Sequence, residues 1–284
     1  MENFYIHVGL GRTGTTFLQE KIFSAHSQIH YHGKTLNAYP DWLVKFHYWD
    51  DFAFEKGCEE ILQEIKLKYV PGKTNLISSE AFTQNGGQEY AQANRIFRII
   101  PNAKILLVLR DPVEFVRSRY RVGVDLENFI LPLEDLLDWS RTPLVFYKRK
   151  PIYLPSLFYD EIIETYSNLF GRNRLCILKY EDMVEKPEVY FSTMASFLGI
   201  NFDAKQLKSL LKIKINESRQ KENLIHLRME NMIQAWTKYL GKGENEIKEV
   251  IVRYFLPNFD SEIIKPDLRK RLEKFFQGKC YGYY

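Results

Sequence analysis

The sequence predicts an α/β protein built on an open, parallel β-sheet of about five strands flanked by helices, with a helical C-terminal extension. Two observations lead to this prediction. Short runs rich in Ile, Leu and Val, typical of strands buried on both faces, alternate with longer segments of helical periodicity. From about residue 202 onward the pattern is helical only. Strands that alternate with helices indicate a parallel sheet covered on both faces.

The predicted strands are four short runs rich in Ile, Leu and Val and one shorter candidate run. The four runs are residues 4–9, 75–79, 104–109 and 174–178, and the shorter one is 29–31. Helices are predicted over residues 15–25, 58–68, 90–100, 112–121, 157–170, 188–198, 224–240, 244–254 and 266–276. We interpret residues 1–284 as a single domain, with an α/β core over residues 1–200 and a helical extension over 201–284.

Composition and charge narrow the class of protein. A hydrophobic fraction of 45% is ample for a buried core, and a net charge of +4 is too mild to predict a nucleic-acid partner. The three cysteines, Cys58, Cys176 and Cys280, form no CxxC pair, so neither a zinc site nor a disulfide framework is expected. The sequence has no charged-then-apolar leader and no run of ~18 apolar residues, so we expect no membrane association and a cytoplasmic location.

The first predicted strand runs into a glycine-rich loop, residues 9–16, with the sequence Gly-Leu-Gly-Arg-Thr-Gly-Thr-Thr. Its three glycines permit tight turns in which several backbone N–H groups converge on one anion. The following helix adds free amides and its dipole, and Thr15 and Thr16 add hydroxyls. The loop therefore predicts a phosphate site, the alternative being an ordinary glycine-rich turn.

This loop is close to the nucleotide-binding pattern GxxxxGK[ST], but Thr15 stands at the lysine position. The positive charge comes three residues earlier, at Arg12. A P-loop kinase-like phosphotransferase would need ATP, Mg²⁺ and that lysine. The threonine at the lysine position disfavours this alternative but does not exclude it.

A second anion site is predicted where the strand 104–109 ends. Arg110 follows the strand, Asp111 is a good helix N-cap, Pro112 suits the first helical position, and Glu114 completes a capping box. Arg110 therefore lies at the carboxyl edge of the sheet, where open α/β sheets bind ligands. Together with the Ser118 hydroxyl it could hold a second phosphate. The alternative is a structural salt bridge from Arg110 to Asp111 or Glu114.

These segments resemble the sulfotransferases that use 3′-phosphoadenosine 5′-phosphosulfate (PAPS). The run from Gly11 to Phe17 is similar to the family's loop around the 5′-phosphosulfate, and Arg110 and Ser118 have the eight-residue separation of its 3′-phosphate pair. A third run, Leu-Lys-Tyr-Glu-Asp-Met at 178–183 with Phe-Leu-Gly at 197–199, looks like its strand-end Tyr-Glu-Asp motif. The resemblance covers the first 200 residues and implies a P-loop NTPase-like fold.

The resemblance also implies site residues for PAPS and for its product, 3′-phosphoadenosine 5′-phosphate (PAP), with no metal required. Phe17 would stack on the adenine or pack in the core, and Tyr180 would approach the adenine or simply pack. Arg219 or Lys221 would correspond to a basic loop that closes on the 3′-phosphate. The 5′ end would be held by Gly11, Arg12, Thr13, Gly14, Thr15 and Thr16, and the 3′-phosphate by Arg110 and Ser118.

Catalysis by such a site needs charge stabilisation and a general base. Arg12 is expected to stabilise the departing phosphate rather than donate a proton, because a guanidinium stays protonated. Glu80, at the end of the strand 75–79, is the first candidate for the base, followed by His32 and His30. His30 and His32 alternate on a strand as a metal pair would, but no third ligand stands out, so no metal site is predicted.

Together these features predict transfer of a sulfuryl group from PAPS to a hydroxyl, with an amine as second choice, of a carbohydrate or small metabolite. Two other functions are compatible with the sequence: the kinase-like phosphotransferase described above, and a protein that binds PAP or PAPS without catalysis. Loops over residues 39–54 and 125–155 are expected to select the acceptor. The sequence predicts neither the acceptor's identity nor the oligomeric state.

Overall fold

The computed structural model describes residues 2–33, 40–83, 89–140, 152–202, 224–241, 243–254 and 264–283. The chain divides into two compact units. Unit 1 comprises Met1–Asp111, Ser156–Ile215 and Gly278–Tyr283, and unit 2 comprises Pro112–Pro155, Asn216–Gln277 and Tyr284. Unit 2 thus combines residues 216–277 of the predicted helical extension with residues 112–155, which the sequence analysis assigned to the core.

The strands lie close to their predicted positions. They are β1 (Phe4–Gly9), β2 (Ile29–Tyr31), β3 (Thr74–Ser79), β4 (Lys104–Leu109), β5 (Leu137–Asp138), β6 (Ile152–Tyr153) and β7 (Leu175–Lys179). Each of the five predicted strands is present within one residue of its predicted bounds. The two-residue strands β5 and β6 were not predicted.

The helices agree with the predicted pattern over most of the chain. They are α1 (Thr15–Phe17), α2 (Asp41–Tyr48), α3 (Asp51–Lys68), α4 (Glu89–Ile99), α5 (Pro112–Leu126), α6 (Leu133–Leu136), α7 (Tyr159–Phe170), α8 (Tyr180–Glu185), α9 (Pro187–Leu198), α10 (Leu224–Leu240), α11 (Glu244–Tyr254) and α12 (Pro266–Phe276). After α1 the chain continues as a π-helix over Leu18–Phe23, where a single α-helix was predicted.

The segment predicted as a loop over residues 39–54 is helical where it is described. It contains α2 and the start of α3, which is capped at Asp50 by a carboxylate that accepts the Ala53 N–H at 2.7 Å. Trp42 and Leu43 of α2 are fully buried. Where it is described, this segment is therefore mostly helical rather than a loop, and its role in selecting the acceptor stays a prediction. The pattern was missed because α2 is only eight residues long.

The main sheet of unit 1 has five strands in the order β2-β3-β1-β4-β7, and every neighbouring pair is parallel. This confirms the predicted open parallel sheet. The strands β1 and β3 are buried at every position, as expected for strands covered on both faces.

The register of the sheet decides which residues meet at its carboxyl edge. Val8 pairs with Ser79, Gly9 pairs with Val108, and Leu109 pairs with Lys179. Because the strands are parallel, the segments that follow β1, β3, β4 and β7 all leave the sheet at this edge.

Unit 2 is built mainly from helices. Met232 and Ile233 of α10 pack with Ile247 and Ile251 of α11 in a small apolar core. The strands β5 and β6 form a separate parallel pair. In the part of the chain that is described, no helix has both the length and the apolar character needed to cross a membrane.

Candidate functional site

The candidate site lies at the carboxyl edge of the main sheet in unit 1. From β1 the chain goes to β2 on one side of the sheet, whereas from β4 it goes to β7 on the other side. The loops after β1 and β4 therefore diverge, and such a switch point is where open α/β sheets bind ligands. The two segments with predicted anion sites are the two that leave the sheet here.

The loop after β1 has a backbone that only glycine fits at one position. Gly14 has a φ of +78°, in the left-handed region, and caps α1. A Cβ at Gly14 would collide with the terminal methyl group of Met183 and lie 3.5 Å from the Tyr180 ring. The buried Thr13 hydroxyl donates to the Leu10 carbonyl at 2.6 Å. A hydrogen bond from Thr13 therefore stabilises the loop internally, and residues of α8 pack against it at Gly14.

Arg110 joins this loop to the end of β7. Its Nη1 donates to the Arg12 carbonyl oxygen at 2.6 Å, and its guanidinium carbon lies 4.6 Å from the centre of the Tyr180 ring. Its Nε is buried and has no hydrogen-bond partner among the described residues. The Arg12 backbone is left-handed, with a φ of +69°, and its side chain is exposed. The structure therefore brings Arg12, Arg110 and Tyr180 together.

Glu114, one of the two alternative salt-bridge partners predicted for Arg110, forms ion pairs with arginines within unit 2. Within unit 2, Glu114 pairs with Arg117 at 3.2 Å and with Arg269 at 3.0 Å. Glu114 therefore neutralises other arginines.

Glu80 follows β3 and reaches the same loop. The Thr15 hydroxyl donates a hydrogen bond to the Glu80 carboxylate, which is half-buried. The buried Thr83 hydroxyl, three residues after Glu80, donates to the Gly9 carbonyl at 3.2 Å. The side chain of Thr16 is exposed. A carboxylate thus lies directly beside the predicted anion loop, on the side where β3 ends.

A buried network fixes the start of the Glu80 segment. The His47 Nε2 lies 2.9 Å from the Ser79 hydroxyl, and its Nδ1 lies 3.0 Å from the Gln92 amide oxygen. Burial lowers the pKa of His47 to about 4, so the ring is neutral at pH 7. Since the amide oxygen only accepts, Nδ1–H donates to it and Nε2 accepts from Ser79. Sequence analysis missed this network because its three members come from three separate elements.

The structure does not bring the predicted histidines to the loop. The His32 ring stacks on Phe4 at 5.4 Å, and its Nε2 lies 3.0 Å from the Asn75 amide oxygen. Asn75 is near the amino end of β3, about 16 Å from Glu80 at ~3.3 Å per strand residue. Burial lowers the pKa of His32 to about 4. His30 lies against His32, with 4.6 Å between ring centres.

Geometry therefore favours Glu80 over both histidines as a general base. Among the described residues, no group of three or more histidine, cysteine or acidic side chains could hold a metal ion.

The remaining predicted residues have different surroundings. Phe17 is only 8% exposed and packs in the apolar core with Phe191, so its ring contributes to folding, and adenine stacking stays a prediction. Ser118 is a half-buried residue of α5 in unit 2, and its pairing with Arg110 also stays a prediction. Arg219 and Lys221 lie outside the described residues.

Three residues without a predicted role surround the backbone that follows Arg110. The Tyr159 hydroxyl donates to the Arg110 carbonyl at 2.6 Å. The Glu181 Oε1 accepts the Asp111 N–H at 3.0 Å, and the Tyr283 hydroxyl donates to Glu181 Oε2 at 2.9 Å. Glu181 could have been found because it belongs to the Tyr-Glu-Asp run. Tyr159 and Tyr283 carry no local signal, since only the fold brings them to Arg110.

Comparison with known proteins identifies a matching family model and solved structures with a similar fold. The family model described as "Sulfotransferase domain" matches residues 5–282. A search of curated proteins gives no match. The chain is similar in fold to a sulfotransferase from Alicyclobacillus acidocaldarius, with a TM-score of 0.51, 18% identity, and coverage of 89% of this chain and 96% of that one. It is also similar to mouse sulfotransferase SULT7A1 complexed with PAP, with a TM-score of 0.52, 15% identity, and coverage of 100% and 85%.

Proposed function

Because the chain belongs to the sulfotransferase family, we propose that it transfers a sulfuryl group from PAPS to a hydroxyl group of a carbohydrate or other small molecule. An amine is the second choice of acceptor. The observation that carries this proposal is the contact between the two anion segments: Arg110 hydrogen-bonds the Arg12 carbonyl and stacks on Tyr180. A nucleotide with phosphates at both its 5′ and 3′ positions needs two such sites side by side.

The residues fit a donor of this kind. Arg110 has a buried Nε–H without a partner in the described part of the chain, and such a donor is suited to a phosphate oxygen. The loop around Gly14 offers backbone amides and the start of a helix to the 5′ end. The PAP bound in the mouse neighbour supports the same nucleotide here. PAPS supplies the activated sulfuryl group when bound.

The side chains of this chain then have separate roles in the transfer. The acceptor oxygen forms a bond to sulfur as the bond between sulfur and the 5′-phosphate oxygen breaks. The electron pair of the broken bond remains on the 5′-phosphate oxygen of the departing PAP. Arg12, which stays protonated, stabilises that charge. Glu80 accepts the proton of the acceptor hydroxyl, because its carboxylate lies beside Thr15 in the anion loop.

Calorimetry with PAP and with 5′-AMP tests the donor. We expect PAP to bind about 10- to 100-fold more tightly, since a charged hydrogen-bonded contact contributes about 1.5–3 kcal/mol. Arg110→Ala should abolish this preference and leave AMP binding nearly unchanged. Arg174→Ala is the matched control, because Arg174 lies before the amino end of β7 and donates to the Pro101 carbonyl. Equal affinities of the wild-type protein for PAP and AMP would reject the proposal.

Transfer is tested with labelled PAPS and a panel of sugars, phenols, aliphatic alcohols and amines. Label on a hydroxylated acceptor supports the proposed activity. Tight PAP binding with no transfer to any acceptor would instead indicate a binding protein without catalysis. Magnesium-dependent binding of ATP with no preference for PAP would indicate a kinase-like phosphotransferase.

A further inference from the structure

A short segment after α12 lies in unit 1, close to Arg110. The segment Gly278–Tyr283 belongs to this unit, although the helix before it belongs to unit 2. It is anchored at the start of α7 by two hydrogen bonds: Asp160 N–H donates to the Lys279 carbonyl, and Tyr281 N–H donates to the Asp160 carboxylate, each at 3.2 Å. The buried Cys280 thiol donates to the Leu157 carbonyl at 3.1 Å. Contacts within unit 1 therefore define the position of residues 278–283.

One peptide unit beside Arg110 is held from both sides. The carbonyl of Arg110 and the N–H of Asp111 belong to the same planar peptide group. Tyr159 donates to the carbonyl at 2.6 Å, and Glu181 accepts from the N–H at 3.0 Å. We call Tyr159 and Glu181 the peptide clamp. Since this plane follows the Arg110 Cα directly, the clamp fixes the direction in which the arginine side chain leaves the backbone.

Tyr283 contacts both members of the peptide clamp. Its hydroxyl donates to the second carboxylate oxygen of Glu181 at 2.9 Å, and its ring lies edge-on to Tyr159, with 6.0 Å between centres. The Lys179 ammonium lies 4.2 Å from the centre of the Tyr283 ring and holds it in place by a cation–π contact. Burial and the Glu181 charge raise the pKa of Tyr283, so the hydroxyl remains a donor throughout the physiological range.

We propose that Tyr283 is a positioning residue for the nucleotide's 3′-phosphate, acting through the peptide clamp on Arg110. The inference rests on the proposed PAPS-dependent function. With the hydroxyl present, each Glu181 oxygen has one donor, and the Arg110 peptide keeps a single orientation. Without the Tyr283 hydroxyl, the Glu181 carboxylate loses one hydrogen bond and restrains the Arg110 peptide less. The Arg110 guanidinium then adopts a wider range of orientations. A bidentate contact to a phosphate is sensitive to such loss of orientation.

The substitution Tyr283→Phe tests this role because it keeps the ring and its contacts with Tyr159 and Lys179. Calorimetry should show PAP affinity reduced about three- to tenfold, the scale of one ordinary hydrogen bond, with 5′-AMP affinity unchanged. Tyr281→Phe is the matched control and should alter neither affinity. The Tyr281 ring lies 5.9 Å from the same lysine, whereas the hydrogen bond to Glu181 comes from Tyr283.

A double variant shows whether Tyr283 acts through Arg110. In an Arg110→Ala background, Tyr283→Phe should have no further effect on PAP affinity, because the side chain being positioned is gone. Tyr159→Phe, which removes the clamp from the carbonyl side, should reduce the preference for PAP over AMP in the same direction as Tyr283→Phe.

Four outcomes are informative. A reduced PAP-to-AMP preference that disappears in the Arg110→Ala background supports the inference. Equal loss of PAP and AMP affinity with a lower melting temperature would overturn it, since that is the result of a purely structural role. An unchanged preference in Tyr283→Phe would overturn it as well. A wild-type protein with no preference for PAP would instead reject the proposed function, before any variant is compared.

Discussion

At the scale of single residues, the pair formed by Thr15 and Glu80 distinguishes this site from a nucleotide triphosphatase loop. Thr15 occupies the position of the lysine that a triphosphatase needs, and its hydroxyl donates to a carboxylate. Thr15 offers a triphosphate no positive charge where the lysine would, whereas a carboxylate beside it suits a reaction in which an acceptor hydroxyl must lose a proton. In the proposed sulfuryl transfer, Glu80 has a chemical role that it would lack in phosphate binding alone.

The substitution Glu80→Gln tests the role of this residue as base. The amide that replaces the carboxylate still offers an oxygen to the Thr15 hydroxyl, so we expect PAP affinity to change less than about threefold. An amide cannot take the proton, so kcat for the acceptor found in the panel should fall by at least about 100-fold. Steady-state kinetics and calorimetry on the same preparation measure both effects.

Glu80→Asp serves as the control, because it keeps a carboxylate and should recover part of the lost rate. A Glu80→Gln enzyme with wild-type kcat would mean that another group accepts the proton.

At the scale of elements, the loop after β1 depends on a left-handed turn in a crowded place. Gly14 combines a φ of +78° with no room for a side chain beside Met183, which is fully buried in the core. Gly72, which precedes β3, has almost the same φ of +77° but no atom within 4 Å of the position of a Cβ. Substituting each of the two glycines therefore distinguishes the cost of a left-handed backbone, which both share, from the cost of steric crowding, which applies only to Gly14.

We expect Gly72→Ala to lower the free energy of unfolding by about 1–2 kcal/mol, the cost of a left-handed Cβ. Gly14→Ala should cost at least as much, with an added term because the Met183 methyl must move within a packed core. Only Gly14→Ala should also weaken PAP binding, since Gly72 lies near the amino end of the sheet. Urea unfolding of both variants and calorimetry with PAP measure these effects. Equal PAP affinity in the two variants would contradict the role given to the loop.

At the scale of the whole molecule, buried histidines link stability to pH. Burial lowers the pKa of His7 to about 3 and those of His32 and His47 to about 4. In the unfolded chain these groups titrate near 6.5. Below that pH the unfolded state binds protons that the folded state does not, so the stability they contribute is present above pH 6.5 and is lost as the pH falls towards 4.

The free energy of unfolding should therefore fall between pH 6.5 and pH 5, by up to about 1.4 kcal/mol per pH unit for each of the three histidines. Urea titrations at pH 7.5, 6.5 and 5.0 measure this slope. His32→Gln should reduce it by about one third, because one of the three groups no longer titrates. A free energy of unfolding that is the same at pH 7.5 and pH 5.0 would mean that these rings are not buried in neutral form.

The sequence by itself determined the strands of the main sheet and the carboxyl edge at which the two predicted anion segments lie. Short runs rich in Ile, Leu and Val placed four strands of the main sheet and a shorter run placed the fifth, since strands buried on both faces are enriched in such residues. The glycine spacing of residues 9–16 and the position of Arg110 after β4 predicted two anion segments. Both signals are local, so they can be found in a sequence without knowledge of the fold.

Only the tertiary structure decided which residues meet. Glu80 and His32 were both candidates for the base, but Glu80 accepts a hydrogen bond from Thr15 in the loop, whereas the His32 ring contacts Phe4 and Asn75, near the amino ends of β1 and β3. Tyr283 reaches Glu181 across 102 positions of sequence. Such contacts depend on strand order and on the path of the chain, and no local pattern of residues encodes either.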